Sequence, residues 1–439
     1  MLAAVPLAIA LALFAPARAT PMWSPNSGTA AGTMQSSAVG PTSGPLQKLY
    51  TITNPNPQQP DRPATAQLVG ITSSGLAVVL SLSGVYYQQY PTLNVFRNAL
   101  ALWDNPTTLQ QCSPSCSYIG VTFDDELIYV STTFGQQQQQ QQFGVTVLNI
   151  TSGAVMTSSY ALPFPAPVTV FVNAADAPGG SLVWVTSNFT ALAGTFNTTT
   201  IKFDGVSSKL AVNAGNCSLG HGAFAVCDIV TSPFGMAVLR AGGPGSGPTL
   251  AWDDFVLPVF IASDIGPNGA LIVDTDYGGF TGGTWVACDL ATGAAFWTLV
   301  KPTNETITAF AYDGAGTLVL KSFFDDGATF SVKFTTLNLT KSGFSVASTA
   351  SAPSFPPEPP AGQPFVDYLT LDSTGKVAYT LDSDGGAWNF QAVKVGVSGP
   401  GAISVLLSDP SLSPAPLIAG PKSTQITVQE DNCTIAVYM

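Results

Sequence analysis

Carboxylates, 26 in all, are the most numerous ionisable side chains in this chain. Four runs, WDDF (252–255), DTDYGG (274–279), FDDG (324–327) and DSDGG (382–386), place Asp beside aromatic residues or Gly. Calcium takes several oxygen ligands, and D-x-D followed by Gly can open such a loop, which makes Asp274, Asp276, Asp382 and Asp384 the calcium candidates. The EF-hand pattern with its closing Glu is absent, and hairpin turns rich in Asp and Gly account for the same runs without a metal. No cofactor is expected. The single histidine, His221, excludes a multi-histidine metal site and leaves any histidine-activated nucleophile to one residue. It lies in CSLGHGAFAVC between Cys217 and Cys227 and reads as an exposed residue of a small disulfide loop. Of the six cysteines, sequence proximity pairs Cys112 with Cys116 and Cys217 with Cys227. Cys288 and Cys433 fall far apart, and their state stays open.

These groups must be positioned by a chain of unusual composition. Among 439 residues there are 14 Lys plus Arg and 26 Asp plus Glu, so 9% are charged, against roughly 25% in ordinary soluble domains. The net charge of −12 and the lack of any basic run exclude nucleic acid and anionic membranes as partners, because nothing would neutralise phosphates. With 46% hydrophobic residues, 42 Gly and 34 Pro, the composition fits a packed, turn-rich chain and neither long helices nor a charged disordered polymer. Mean hydropathy is +0.29. Beyond the first twenty residues, however, no apolar run reaches the ~18–20 residues of a span, so no membrane span is expected in the mature chain.

Leu2 to Ala15 form a short apolar run, and Ala17-Arg18-Ala19 has the A-x-A form of a signal-peptidase site. Residues 1–19 therefore read as a signal peptide, with an N-terminal anchor as the alternative, and 20–45 as a disordered Ser, Thr, Pro and Gly tail. Seven sequons follow, at Asn149, Asn188, Asn197, Asn216, Asn304, Asn338 and Asn432, while Pro106 excludes Asn105. Signal, sequons and cysteines together point to a secreted glycoprotein of the extracellular space or endomembrane lumen. The glutamine run 136–142 reads as part of a loop insertion at 135–143.

One unit recurs along the rest of the chain: apolar strand, Gly- or Asp-bearing turn, apolar strand. It appears at 71–80, 121–130, 172–185, 230–239, 261–273, 310–320, 369–381 and 426–439. Most turn anchors are spaced near the ~40–50 residues of a four-stranded propeller blade, and the shortest spacing, Gly235 to Gly269, is the irregular one. Further strand-like stretches lie between the hairpins, and no helical periodicity is sustained. The expected fold class is all-β: over 46–439, a single β-propeller of seven or eight four-stranded blades, with a second insertion at 351–364. Unpaired sheet edges are unfavourable, so strand 46–53 is expected to join the last hairpin and close the ring. An array of β-sandwiches is the alternative, though it would call for Cys, Trp, Cys spacings that are missing.

The segment Ala287-Cys-Asp289-Leu-Ala-Thr292-Gly293-Ala-Ala-Phe-Trp297 fits A-x-D-x-x-T-G-x-x-x-W and resembles the repeat of quinoprotein-type β-propellers. VLNITSGAV (147–155) is a looser copy, in which Asn149, Ser152 and Gly153 stand for Asp289, Thr292 and Gly293. The resemblance implies a structural role: Thr-Gly turns between outer strands and the Trp docks between neighbouring blades. Quinone dehydrogenases of that superfamily would add a catalytic Asp, a carboxylate-held calcium and, in alcohol dehydrogenases, often a disulfide between adjacent cysteines. No Cys-Cys dipeptide occurs here, and no motif places the catalytic Asp.

The sequence thus points to a secreted, glycosylated propeller serving as a non-enzymatic platform for an extracellular protein or small-molecule ligand. The alternatives are a quinoprotein-like or other propeller enzyme using acidic residues at the central channel, and a structural glycoprotein of the extracellular matrix or wall. Export itself is testable in a eukaryotic host: the secreted chain should begin near Thr20 and lose mass on treatment with N-glycan amidase. An intact Met1 or an unshifted band would count against it.

Overall fold

Runs such as LIYVSTTF (Leu127–Phe134) and TLVLKSFFD (Thr317–Asp325) fold as strands, because β-branched and aromatic side chains suit a pleated, half-buried surface. The computed structural model describes residues 40–53, 66–72, 75–83, 90–103, 107–108, 116–123, 126–134, 140–165, 169–173, 181–187, 189–197, 200–203, 208–221, 223–231, 235–242, 246–254, 259–263, 270–274, 284–300, 305–313, 316–325, 330–340, 343–351, 368–372, 374–384, 387–395, 404–409, 417–419, 425–429 and 434–439. Among the described residues there is no helix, and the strands form eight antiparallel sheets. We number them I (67–108), II (116–165), III (169–209), IV (214–254), V (259–300), VI (305–351), VII (368–409) and VIII (417–438 with Lys48–Thr53).

Within each sheet the strands lie side by side in chain order, except that Lys48–Thr53 is added beyond the last strand of VIII, and first strands approach one another from II through V and from VI through VIII. The apolar core is divided into layers between neighbouring sheets. Leu93 and Trp103 of I meet Ile128 and Leu148 of II. Trp184 of III meets Ala225 and Leu239 of IV, and Val226 and Val238 of IV meet Leu290 of V. The series continues through Trp297 and Leu318, then Phe334 and Leu371, and returns to sheet I where Ile52 and Ile435 of VIII cover Leu68 and Val79. Sheets packed face to face around a ring make a β-propeller. Each buried Val, Leu or Ile contributes about 1.5–3 kcal/mol, so neighbouring sheets hold one another rather than sharing one central core.

The ring closes as the sequence implies. Lys48–Thr53 is the outermost strand of sheet VIII, antiparallel to Thr434–Tyr438. Gln47 and Met439 extend the ladder with reciprocal N–H to carbonyl bonds of 2.9 and 3.0 Å. Upstream of this strand, Gly40 and Pro41 are buried although they fall in the stretch 20–45 read as an unordered tail. Gly40 lies flat against the ring of Tyr379 in sheet VII, a position with no room for a Cβ. Burial and the nearby Asp372 carboxylate push the Tyr379 phenol pKa upward.

Two further details differ from the sequence reading. The eight hairpins are not equivalent: those at 230–239 and 426–439 join second to third strands, while the other six join first to second. The first hairpin of sheet IV turns after His221, where the ladder pairs His221 with Phe224, and this removes the irregular spacing before Gly269. Gln140, Gln141 and Gln142, read as loop, begin the strand Gln140–Asn149 and pair with Pro165, Phe164 and Phe134. Ladder bonds use only the backbone, so a polar run can continue a strand that apolar neighbours have started.

Turn geometry supplies a stability test. Asn98 and Ala99 join the third and outer strands of sheet I with φ of 49° and 69°. Asn accepts this left-handed region, but Ala is strained there by ~1–2 kcal/mol. After the extra chain entropy of glycine, Ala99→Gly should stabilise the protein by about 0.5–1 kcal/mol, read as a raised urea midpoint. A lowered midpoint would contradict the turn geometry.

Candidate functional site

The described structure shows where its most elaborated side-chain contacts lie: at the turns between third and fourth strands. In sheet V, Asp289 Oδ1 accepts the N–H of Ala291 (3.0 Å) and Thr292 (2.9 Å) and the Thr292 hydroxyl (3.0 Å). The Gly293 N–H returns to the Asp289 carbonyl at 2.8 Å, and Gly293 has φ of 71°. Sheet II repeats this atom for atom with Asn149, Ser152 and Gly153, the last at φ of 69°. A short acceptor side chain followed by left-handed glycine is what such a turn demands.

Each of these turns is a seat for an indole from the preceding sheet. Trp252 of sheet IV lies over Gly293, where a Cβ would come within 2.9 Å of the ring. Its Nε1 donates to the Leu290 carbonyl at 2.9 Å. Trp103 of sheet I covers Gly153 in the same way and donates to the Ile150 carbonyl at 3.1 Å. The sequence motif named Trp297, whereas the indoles on the two Gly turns are Trp103 and Trp252. Both are followed by Asp, and each lies about one repeat upstream of its turn, a spacing the within-motif reading overlooked. Trp297 is buried against Phe344 of sheet VI at 5.1 Å between ring centroids. Among the described residues its Nε1 has no hydrogen-bond partner, and the segment from Thr340 to Gly343 that follows the third strand of sheet VI holds no Asp.

Other polar groups form closed contacts. At the start of sheet VI, the Glu305 carboxylate accepts the Ser322 hydroxyl at 2.5 Å and the Lys333 ammonium at 2.7 Å. Acid, hydroxyl and base therefore meet, but Ser322 is only 1% exposed. Lys321, fully buried, donates to Thr380 at 2.9 Å and ties sheet VI to VII. Burial, with Asp254 and Asp289 nearby, pushes the Cys288 thiol up to about 12 and keeps it protonated. Asp228, half-buried in sheet IV, has its pKa raised by the same loss of solvent.

The sequence-derived candidates scatter. Cys217 and Cys227 form a disulfide between register partners of sheet IV. Cys112 and Cys433 lie outside the described residues, and Cys116 opens the first strand of sheet II. His221 ends the first strand of sheet IV. Asp274 ends the second strand of V, and Asp382 and Asp384 end that of VII, so sheet VI separates them. Asp276 is outside the described residues, among which no group of three His, Cys, Asp or Glu is placed to hold a metal. Of the sequons, Asn338 is exposed in the third strand of VI and Asn149 caps its turn. Asn197 and Asn216 are strand residues, and Asn188, Asn304 and Asn432 lie outside the described residues.

Charge does gather, by face rather than by site. At the face where first and third strands begin and second and fourth strands end, Asp228, Asp253, Asp254, Asp274, Glu305, Asp325, Asp382, Asp384 and Asp409 stand against Lys209 and Lys333. The opposite face carries Glu126, Asp289, Asp313 and Asp372 against Lys48, Arg97, Lys202, Arg240, Lys376 and Lys394. Three of the opposite-face acids are turn caps. Asp289 caps its turn as above, Asp313 accepts the Thr317 N–H at 2.7 Å, and Asp372 accepts those of Lys376 and Val377. Among the described residues the negative charge of the chain is thus concentrated on the face of strand entry.

With this geometry established, comparison with known proteins gives the class. No protein-family model matches the chain, and no curated protein matches it. Solved structures do. A quinohemoprotein alcohol dehydrogenase from Comamonas testosteroni is similar at a TM-score of 0.50 and 9% identity, over 94% of this chain and 80% of that one. The WD40 domain of SCAP from fission yeast has a TM-score of 0.46 at 10% identity, over 90% and 94%. Sqt1 from Chaetomium thermophilum has 0.46 at 12%, over 89% and 99%. At these identities the likeness is one of fold: the chain is a β-propeller.

The indole seats give a mutational test. Trp252→Ala removes packing on Gly293 and one hydrogen bond, and should cost about 2–4 kcal/mol in urea unfolding. Gly293→Ala, which adds a Cβ under the ring at positive φ, should cost about 1–3 kcal/mol. Trp252→Phe, which keeps a ring but not the donor, should fall between wild type and the alanine variant. Unchanged midpoints would show that the seats do not hold the sheets together.

Proposed function

We propose that this chain is a secreted, glycosylated binding platform that engages a cationic extracellular partner through the face of strand entry. The carrying observation is the division of charge among the described residues: nine acidic strand-end residues against two basic ones on that face, and four against six on the other. A rigid ring with one strongly negative face attracts and orients a positive partner over about a Debye length, and disfavours the wrong face. The opposite face spends its carboxylates on turns, which leaves them little freedom to meet a ligand. The Cys217–Cys227 disulfide supports the secreted part of the reading, since a disulfide suits an oxidising compartment.

The test uses a defined probe. Oligolysine should bind the immobilised full chain and oligoglutamate should not, and the oligolysine affinity should fall as salt rises from low to physiological strength. Replacing Asp382, Asp384 and Asp409 by Asn should weaken oligolysine binding roughly tenfold, whereas Lys376→Gln with Lys394→Gln on the other face should leave it unchanged or slightly tighter. Binding that ignores both salt and the three Asn substitutions would overturn the proposal.

A further inference from the structure

Every sheet of an open-edged propeller presents one outermost strand whose outward N–H and carbonyl groups can pair with another chain. Such edges are normally protected by charge, proline, bulges or shortness. The outer strands here fall into two groups. Charge marks Lys48–Thr53, Thr200–Phe203 with Lys202, Thr249–Asp254 with two Asp, and Ser404–Asp409 with its closing Asp. Sheet I has only the two-residue pieces Leu100–Ala101 and Thr107–Thr108. The remaining three, Val155–Pro165, Ala295–Val300 and Gly343–Ser351, carry no charged residue, although Pro163, Pro165 and a register shift between Ala161 and Phe164 already guard the far end of the first, leaving its Val155 end open.

Two of these uncharged strands are also the longest outer strands described, with 11 and 9 residues. They expose Val155, Met156 and Val346 at 56%, 45% and 57%. Each has a sequon beside it in the third strand of its own sheet. Asn338 pairs across the ladder with Ser345 of the outer strand and is exposed. Asn149 follows Leu148, the register partner of Val155, and its sequon Thr151 is exposed. An attached glycan is bulky and hydrated, so beside an edge it blocks approach of another strand by volume where sheets III, IV, VII and VIII do so by charge.

We propose that N-linked glycans at Asn149 and Asn338 shield the two long uncharged outer strands, Val155–Pro165 and Gly343–Ser351, from pairing with other copies of the chain. The proposal rests on the reading of the protein as a secreted glycoprotein, and the experiment separates the two. The full chain is secreted from a eukaryotic host, and peptide mass spectrometry reads occupancy at each sequon. Sequons are removed by Thr151→Ala, which spares the turn-capping Asn149, and by Asn338→Gln. Size-exclusion chromatography with light scattering then reads assembly. Both sites should be occupied, the double variant should shift to a dimer or larger species, and adding Val155→Lys and Val346→Lys should restore the wild-type mass. As a check independent of folding, trimming the native glycoprotein to its first sugars with an endoglycosidase should produce the same shift. If the sites are occupied but neither removal nor trimming changes the mass, the shield is wrong while glycosylation stands. Assembly that the lysines do not reverse also overturns the shield, because the contact is then elsewhere. Glycans at other sequons but at neither of these overturn the shield alone, and absence of any glycan overturns both readings.

Discussion

The pairing of Lys48–Thr53 with Thr434–Tyr438 is the constraint on which the ring depends. Each sheet is covered only by its neighbours, so an open ring would expose both the apolar face of sheet I and the edge of sheet VIII. Ile52 and Ile435 show how the two problems are solved together: the closing strand completes a ladder and also supplies part of the layer that covers Leu68 and Val79. Loop-closure entropy grows only logarithmically with chain length, so joining distant ends costs little more than joining near ones. A contact of such sequence separation raises the contact order, which slows folding more than it lowers stability.

Between neighbouring sheets the problem is registration, since flat apolar faces can slide. The indole seats answer it with direction. A Trp N–H aimed at one carbonyl, over a glycine whose missing Cβ leaves room for the ring, fixes Trp252 against Gly293 and Trp103 against Gly153. Among the described residues the V–VI interface shows no such seat and uses bulk, with Trp297 packed against Phe344. Between VI and VII a buried Lys321 to Thr380 bond fixes position. Removing one partner of such a buried pair costs more than the pair itself contributes, so this bond specifies alignment more than it adds stability.

Much of this was legible in the amino-acid sequence because strand and turn chemistry are local. The hairpins at 310–320 and 369–381 announce themselves through Asp313, Gly316, Asp372 and Gly375, and those residues cap and turn the chain where they stand. What was not legible was non-local. VTSPFGMAVL (230–239) has the same local chemistry as a first hairpin, and only the pairing of His221 with Phe224 shows that a strand precedes it. Likewise the motif at 287–297 reveals the turn but not its occupant, because Trp252 comes from another sheet. Glu305, Ser322 and Lys333 are separated by intervals with no recognisable period and meet only through the ladder.

The division of charge follows from the same architecture. On the face opposite strand entry, the first-hairpin and outer turns need short acceptors, so Asp289, Asp313 and Asp372 are bound to their own backbone there, with lysines and arginines among them. The entry face carries longer connections, many outside the described residues, and its strand ends are under no such demand. Acidic residues can accumulate there without disturbing the sheets, and with only 9% charged residues in the whole chain even a modest accumulation decides the sign of the face. The outer strands are subject to the converse pressure: charge spent on one face is not available at the edges. A propeller this poor in charged residues must therefore protect some of its edges by other means, and its two longest uncharged outer strands are flanked by sequons.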